Sequence, residues 1–203
     1  MKQRVAAAID EAASVLEEVA RDIEREPELG FKEHKTAAKV ERYLTALGLT
    51  PETGLALTGV KARAQGGRPG PTVAILSELD AVGTPDSPKA DPLTGAAHTC
   101  GHFLQMTTML AAATGLMEAG ILPELCGDVV FFAVPAEEYV EIEYRRRLLE
   151  EGKLHYLCGK DELIYEGHFD DIDMAMMMHS QGNAPEKAVY IGKSSNGFEG
   201  KTV

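Results

Sequence analysis

Apolar positions Val5, Ile9, Ala12, Leu16, Val19 and Ile23 recur at three- and four-residue intervals, which predicts one amphipathic helix over about 2–24. Glu26-Pro27 ends it, because proline disfavours helical backbone at the residue before it. A second helix is predicted over about 33–47, stopped by Gly48. Residues 58–64 alternate as an edge or half-exposed strand would, and the Gly/Pro-rich stretch 66–71 turns the chain. The nearly unbroken apolar run 72–79 predicts a buried central strand. A second buried strand is expected at 128–134, and a third at 174–178, where a methionine run reads as core. Between these strands lie predicted helices at about 103–118, 139–152 and 161–165, and another strand at 188–192.

Strands alternating with helices place the chain in the α/β class, a three-layer α/β/α sandwich with a mostly parallel central sheet. Sites in such sheets gather beyond the carboxyl ends of the strands. Three predicted strands here end in residues capable of chemistry: Asp80, Glu137-Glu138 and His179. The proline-rich loop 81–97 is long for a compact domain, as loops that line a site are.

A net charge of −12 argues against nucleic acid or an anionic membrane as partner. The N-terminus becomes charged too soon for a signal peptide, and no apolar stretch is long enough to span a bilayer. Cys100, Cys126 and Cys158 have no paired spacing, which favours a reducing, cytoplasmic setting.

The densest chemistry is His98-Thr99-Cys100-Gly101-His102. Thiolate and imidazole are common ligands for a borderline-soft divalent ion. Residues two apart on a helix do not face one another, so Cys100 and His102 converge only where the backbone turns before the helix begins. The alternative is a buried structural cysteine beside a capping histidine. Adjacent residues on an extended strand point apart, so Glu137 and Glu138 would take different tasks, one binding metal and one acting as general base; the alternative is a solvated acidic loop. His179 is either a ligand kept neutral by burial or a satisfied core residue. Asp80 could orient a ligand or cap a helix, and Glu78, two residues back on the same face, shares that ambiguity.

Pro27-Glu28-Leu29-Gly30-Phe31, Glu78-Leu79-Asp80-Ala81, the Cys100-Gly101-His102 cluster and Pro135-Ala136-Glu137-Glu138, in this order, resemble the dinuclear metallopeptidase family of aminoacylases, hippurate hydrolases, aminobenzoyl-glutamate hydrolases and auxin-conjugate amidohydrolases. The resemblance implies two divalent ions, zinc or manganese first and nickel or cobalt as further candidates. It makes Cys100, His102, Glu138 and His179 metal ligands, Glu137 the general base, and Asp80 the catalytic aspartate near the site. The implied reaction is hydrolysis of the amide of an N-acyl amino acid or a small peptide-like amide.

This chain departs from many members in having Phe103-Leu104-Gln105 after the second histidine, and Tyr139 to Arg145 where a glycine-rich stretch is usual. Family members are also longer, with a lid and dimerisation domain. The expectation is therefore a catalytic-domain fragment over 1–193, the start of the lid at 194–203, little activity alone, and a homodimeric full-length parent. A rival reading is a non-catalytic metal-binding or interaction module derived from the same fold.

Overall fold

The computed structural model describes residues 1–180. The predicted strand at 188–192 and the 193/194 domain boundary lie outside them. Helices α1 (Lys2–Glu11), α2 (Ala13–Arg25) and α3 (His34–Ala46) precede strands β1 (Glu52–Leu55), β2 (Gly59–Ala64) and β3 (Val73–Glu78). Two short strands, β4 (Val82–Gly83) and β5 (Ala96–Ala97), pair across the proline-rich loop. Helix α4 (His102–Glu118) leads to β6 (Val129–Val134), followed by α5 (Ile142–Glu150), α6 (Gly159–Tyr165) and β7 (Met174–Met177).

The five-stranded sheet has the order β1-β2-β6-β3-β7. β3 lies parallel to both β6 and β7, whereas β2 runs antiparallel to β6 and β1 antiparallel to β2. Four of the five strands therefore share one direction, and the sheet is mostly parallel, as the pattern predicted. Side chains on β6 alternate between its two faces. Phe131 and Ala133 join the core made by α2, α3 and α4, while Val130, Phe132 and Val134 pack with Leu163 of α6 and with Phe169 and Ile172. The result is three layers.

Four local expectations change. The first helix is two, bent at Ala12, although hydrogen bonds continue across the bend from Ala12 N to the Ala8 carbonyl and from Leu16 N to the Ala12 carbonyl. The bend brings Val5 and Ile9 onto Gly115 of α4, where an added Cβ would lie within 3.0 Å of their side chains.

Strand β2 is interior rather than an edge, since β1 covers one side and β6 the other. Its two cations give it the alternation of an exposed strand, yet both are partnered. Lys61 is buried and donates to the His168 carbonyl at 2.8 Å, and Arg63 pairs with Asp128 at 2.9 Å.

The methionines of β7 are exposed, Met174 at 53% and Met176 at 55%, rather than core. The strand lies at the sheet edge among the described residues, paired with β3 on one side only, so its side chains are left open there. For the same reason His179, just beyond it, is exposed instead of buried.

Candidate metal centre

The parallel strands β3, β6 and β7 deliver their carboxyl ends to one place. Glu78 closes β3 and Asp80 follows it, Glu137 and Glu138 come three and four residues after β6, and His179 comes two after β7. Facing them, α4 starts at His102. Gly101 adopts left-handed backbone (φ 92°) as its N-cap, which turns the chain so that Cys100 and His102 meet. A Cβ there would also strike the Ser180 hydroxyl.

His102 is the hub. Its Nδ1 donates to the Asp80 carbonyl at 2.9 Å and lies 3.3 Å from Asp80 Oδ1. That bond fixes the ring and leaves Nε2 directed into the cluster. Nε2 is 3.0 Å from Glu78 Oε2 and 3.9 Å from both Glu137 Oε2 and Glu138 Oε1, yet it makes no hydrogen bond of proper alignment. His102, Glu78 and Asp80 are buried; Cys100, Glu137 and Glu138 are half-buried. Cys100 Sγ lies 3.4 Å from His179 Nε2, whose ring stands edge-on to that of His102. Two triplets of potential ligand atoms share His102: Cys100–His102–His179 and Glu78–His102–Glu137, the atoms of each within 4.8 Å of one another.

All six predicted site residues are thus together. His98 is not among them: its ring packs on Phe103, and both ring nitrogens are buried without a hydrogen-bond partner. Burial, then the charge of nearby His102, pushes its pKa down to about 4.

Glu137 and Glu138 do not diverge as an extended strand would require. Ala136 has left-handed backbone (φ 51°), which breaks the alternation and turns both carboxylates toward His102.

The charges show what the cluster lacks. Burial opposes a cationic His102, but the adjacent carboxylates of Asp80 and Glu78 outweigh that and hold its pKa up to about 10. Burial likewise opposes an ionised Glu78, but His102 and the Lys160 ammonium hold it ionised down to about 2. Burial, with Glu138 and Glu137 nearby, pushes the Cys100 thiol up to about 12. Burial and then the charge of Glu78 raise the Glu137 carboxyl above its usual range. Carboxylates crowded around a protonated thiol and a protonated imidazole are a donor set in which a divalent cation can replace protons. With the unpartnered His102 Nε2, these residues fit a metal.

Sequence reasoning left Glu78 ambiguous and missed four neighbours. Lys160 and Gln105 both contact Glu78. Glu33 accepts from Thr58 Oγ1 at 2.6 Å and from Ala136 N at 2.8 Å, and Arg145 binds the carbonyls of Ala136 and Glu138. A signal existed for Arg145, which falls three residues before the buried Leu148 on the inward stripe of α5.

Glu33 makes one stability prediction. Burial first, then the charge of Asp80, raises its pKa from 4.5 to about 7 against the two hydrogen bonds. Between those values the native state keeps a proton that the unfolded state has lost. Stability therefore falls as pH rises through this window, by about 3 kcal/mol once pH exceeds 7. Glu33→Gln imitates the protonated form. Urea unfolding should show it about 1–3 kcal/mol more stable than the parent at pH 8 and no more stable at pH 5.

No family model matches the chain. It is 34% identical over 83% of its length to YhaA of Bacillus subtilis, an amidohydrolase by name, covering 39% of that protein. It is 32% identical over 97% of its length to the mouse Xaa-Arg dipeptidase, covering 44% of it. Among solved structures, a dinuclear metal-binding peptidase of the M20 family from Bacillus subtilis superposes with a TM-score of 0.68 at 26% identity, over 85% of this chain and 44% of that one. The chain thus spans about two-fifths of the length of these proteins, and over that span it is similar to amidohydrolases and dipeptidases and shares the fold of an M20-family metal-binding peptidase.

Proposed function

We propose that the chain forms the N-terminal part of the catalytic unit of a metal-dependent hydrolase that cleaves the amide of an N-acyl amino acid or a small peptide-like amide. The single observation carrying this reading is the convergence of two potential ligand triplets on His102 at the carboxyl ends of three parallel strands. Cys100, His102, Glu138 and His179 would hold two divalent ions, with Asp80 fixing the His102 ring through its carbonyl. Thiolate and imidazole together suit zinc, and manganese is the next candidate. Such ions, when bound, polarise the scissile carbonyl and acidify water.

Glu137 is the general base in this reading. It takes the proton of the attacking water and returns it to the leaving amine as the C–N bond breaks. Its raised pKa suits both halves of that transfer. The relatives' names support the substrate class: they include an N-acetylcysteine deacetylase of Bacillus subtilis and a dipeptidase. A cytoplasmic setting fits the free state of all three cysteines, and none of the helices among the described residues is long and apolar enough to cross a membrane. At about two-fifths of its relatives' length, the chain should turn over slowly by itself; a turnover number typical of full-length enzymes would overturn that part.

The test is bound metal per chain after purification under reducing conditions without chelator. Near-stoichiometric metal is expected in the parent. Cys100→Ser and Glu138→Gln should each weaken zinc binding by at least roughly tenfold, since each removes a ligand. Absence of metal even after added zinc or manganese would refute the reading for this chain.

A further inference from the structure

Arg145 is fully buried, and among the described residues it has no carboxylate partner. Its guanidinium binds backbone instead. Nη1 donates to the Leu157 carbonyl at 2.7 Å and to the Ala136 carbonyl at 3.3 Å, and Nη2 donates to the Glu138 carbonyl. The rings of Phe31 and Tyr139 flank it at 5.3 and 5.9 Å. Two of the three carbonyls belong to the residues on either side of Glu137.

The same loop is tied by its amides: Ala136 N donates to Glu33 at 2.8 Å and Glu138 N to Asp80 Oδ2 at 2.9 Å. Four backbone groups around Glu137 are thereby fixed, and Arg145 holds both of the carbonyls. Without such ties, left-handed Ala136 would relax toward extended backbone and three mutually repelling carboxylates, Glu78, Glu137 and Glu138, would separate. A hydrophobic side chain would fill the same space without burying a charge. The guanidinium adds a rigid fork of donors that spans two carbonyls at once, and a positive charge behind the carboxylates.

The fold makes room for it. A Cβ on Gly30 would lie 2.3 Å from Arg145 Nη2 and 2.9 Å from Ala136 Cα. Glu141, left-handed at φ 51° and paired with Lys32 at 2.7 Å, fixes the start of the helix that carries Arg145. The Pro27–Phe31 motif and the charged segment after the glutamate pair thus meet at one guanidinium.

We infer that Arg145, admitted by Gly30, is a positioning residue that holds the Glu137 and Glu138 carboxylates on the metal centre through the backbone of their loop. This rests on the metal-centre reading above.

Calorimetric zinc titration of the metal-stripped chain tests it, with circular dichroism to establish that each variant is folded at the titration temperature. Arg145→Met and Gly30→Ala should weaken zinc binding by roughly 10- to 100-fold, as loss of outer-sphere support does elsewhere. Arg145→Lys should lose less, since one ammonium reaches only part of the carbonyl set. A double-mutant cycle separates positioning from mere structure. If Arg145 acts through Glu138, Glu138→Gln should weaken zinc far less in the Arg145→Met background than in the parent, whereas a general structural role gives additive losses. Should Arg145→Met not fold, the same cycle is read with Arg145→Lys.

Unchanged affinity in the folded variants, or additive losses, would overturn the proposal while leaving the metal centre standing. Failure of the unaltered chain to take up zinc or manganese would overturn both.

Discussion

Glu137→Gln should leave zinc uptake of the chain within about threefold of the parent and slow hydrolysis of an N-acyl amino acid by about 10²–10⁴-fold, the usual worth of a general base. That corresponds to about 3–5 kcal/mol of barrier. Glutamine keeps the size and polarity of the side chain but cannot take a proton. The loop should survive the change, because its ties run through Ala136 and Glu138 and not through the Glu137 side chain. The rate is best read with enzyme in excess over substrate, so that slow turnover is measurable. Two contrary results have distinct meanings. Hydrolysis at the parental rate would remove Glu137 from the role of base. Loss of zinc together with hydrolysis would make it a ligand, as its place in the Glu78–His102–Glu137 triplet allows.

The second large effect concerns the metal-free protein. His102 is a buried cation between Glu78 at 3.0 Å and Asp80 at 3.3 Å, both of them buried. His102→Ala would leave Asp80 without its charged neighbour and Glu78 with only Lys160 and Gln105. Removing one partner from a buried ionic cluster costs about 3–5 kcal/mol, which for a domain of this size lowers the melting temperature by on the order of 10 °C. His102→Gln, still able to donate to the Asp80 carbonyl, should lose less. Equal melting temperatures in the parent and His102→Ala would show that the cluster does not hold β3 to α4.

Much of the site was legible because its parts lie next to features with strong local signals. Asp80, Glu137-Glu138 and His179 each follow an apolar run, and the parallel order of β3, β6 and β7 brings those ends together. Cys100 and His102 are separated by a glycine in the turn that starts α4. What escaped was set by tertiary partners. The convergence of Glu137 and Glu138 depends on a left-handed alanine, which no local preference announces. Arg145, Arg146 and Arg147 are identical to any count of charge, and only the first is buried. The interior place of β2 was hidden by Lys61 and Arg63, whose acidic partners Asp128 and Asp171 lie far along the chain. The methionines of β7 misled in the opposite sense, being apolar yet exposed.

The sheet order also dictates when the centre can exist. β3 is flanked by β6 and β7, both of which are synthesised after it, so this apolar strand waits for its first partner until β6 emerges and for its second until β7 does. Cys100 and His179 are 79 residues apart, and such distant pairings form slowly because loop closure must precede any gain from contact. Cys100 and His102 are therefore present as a local pair long before their remaining partners. In the proposed centre, metal capture by a nascent chain would be two-handed at first and would gain His179 only when β7 docks on β3, which couples loading to the docking of that strand.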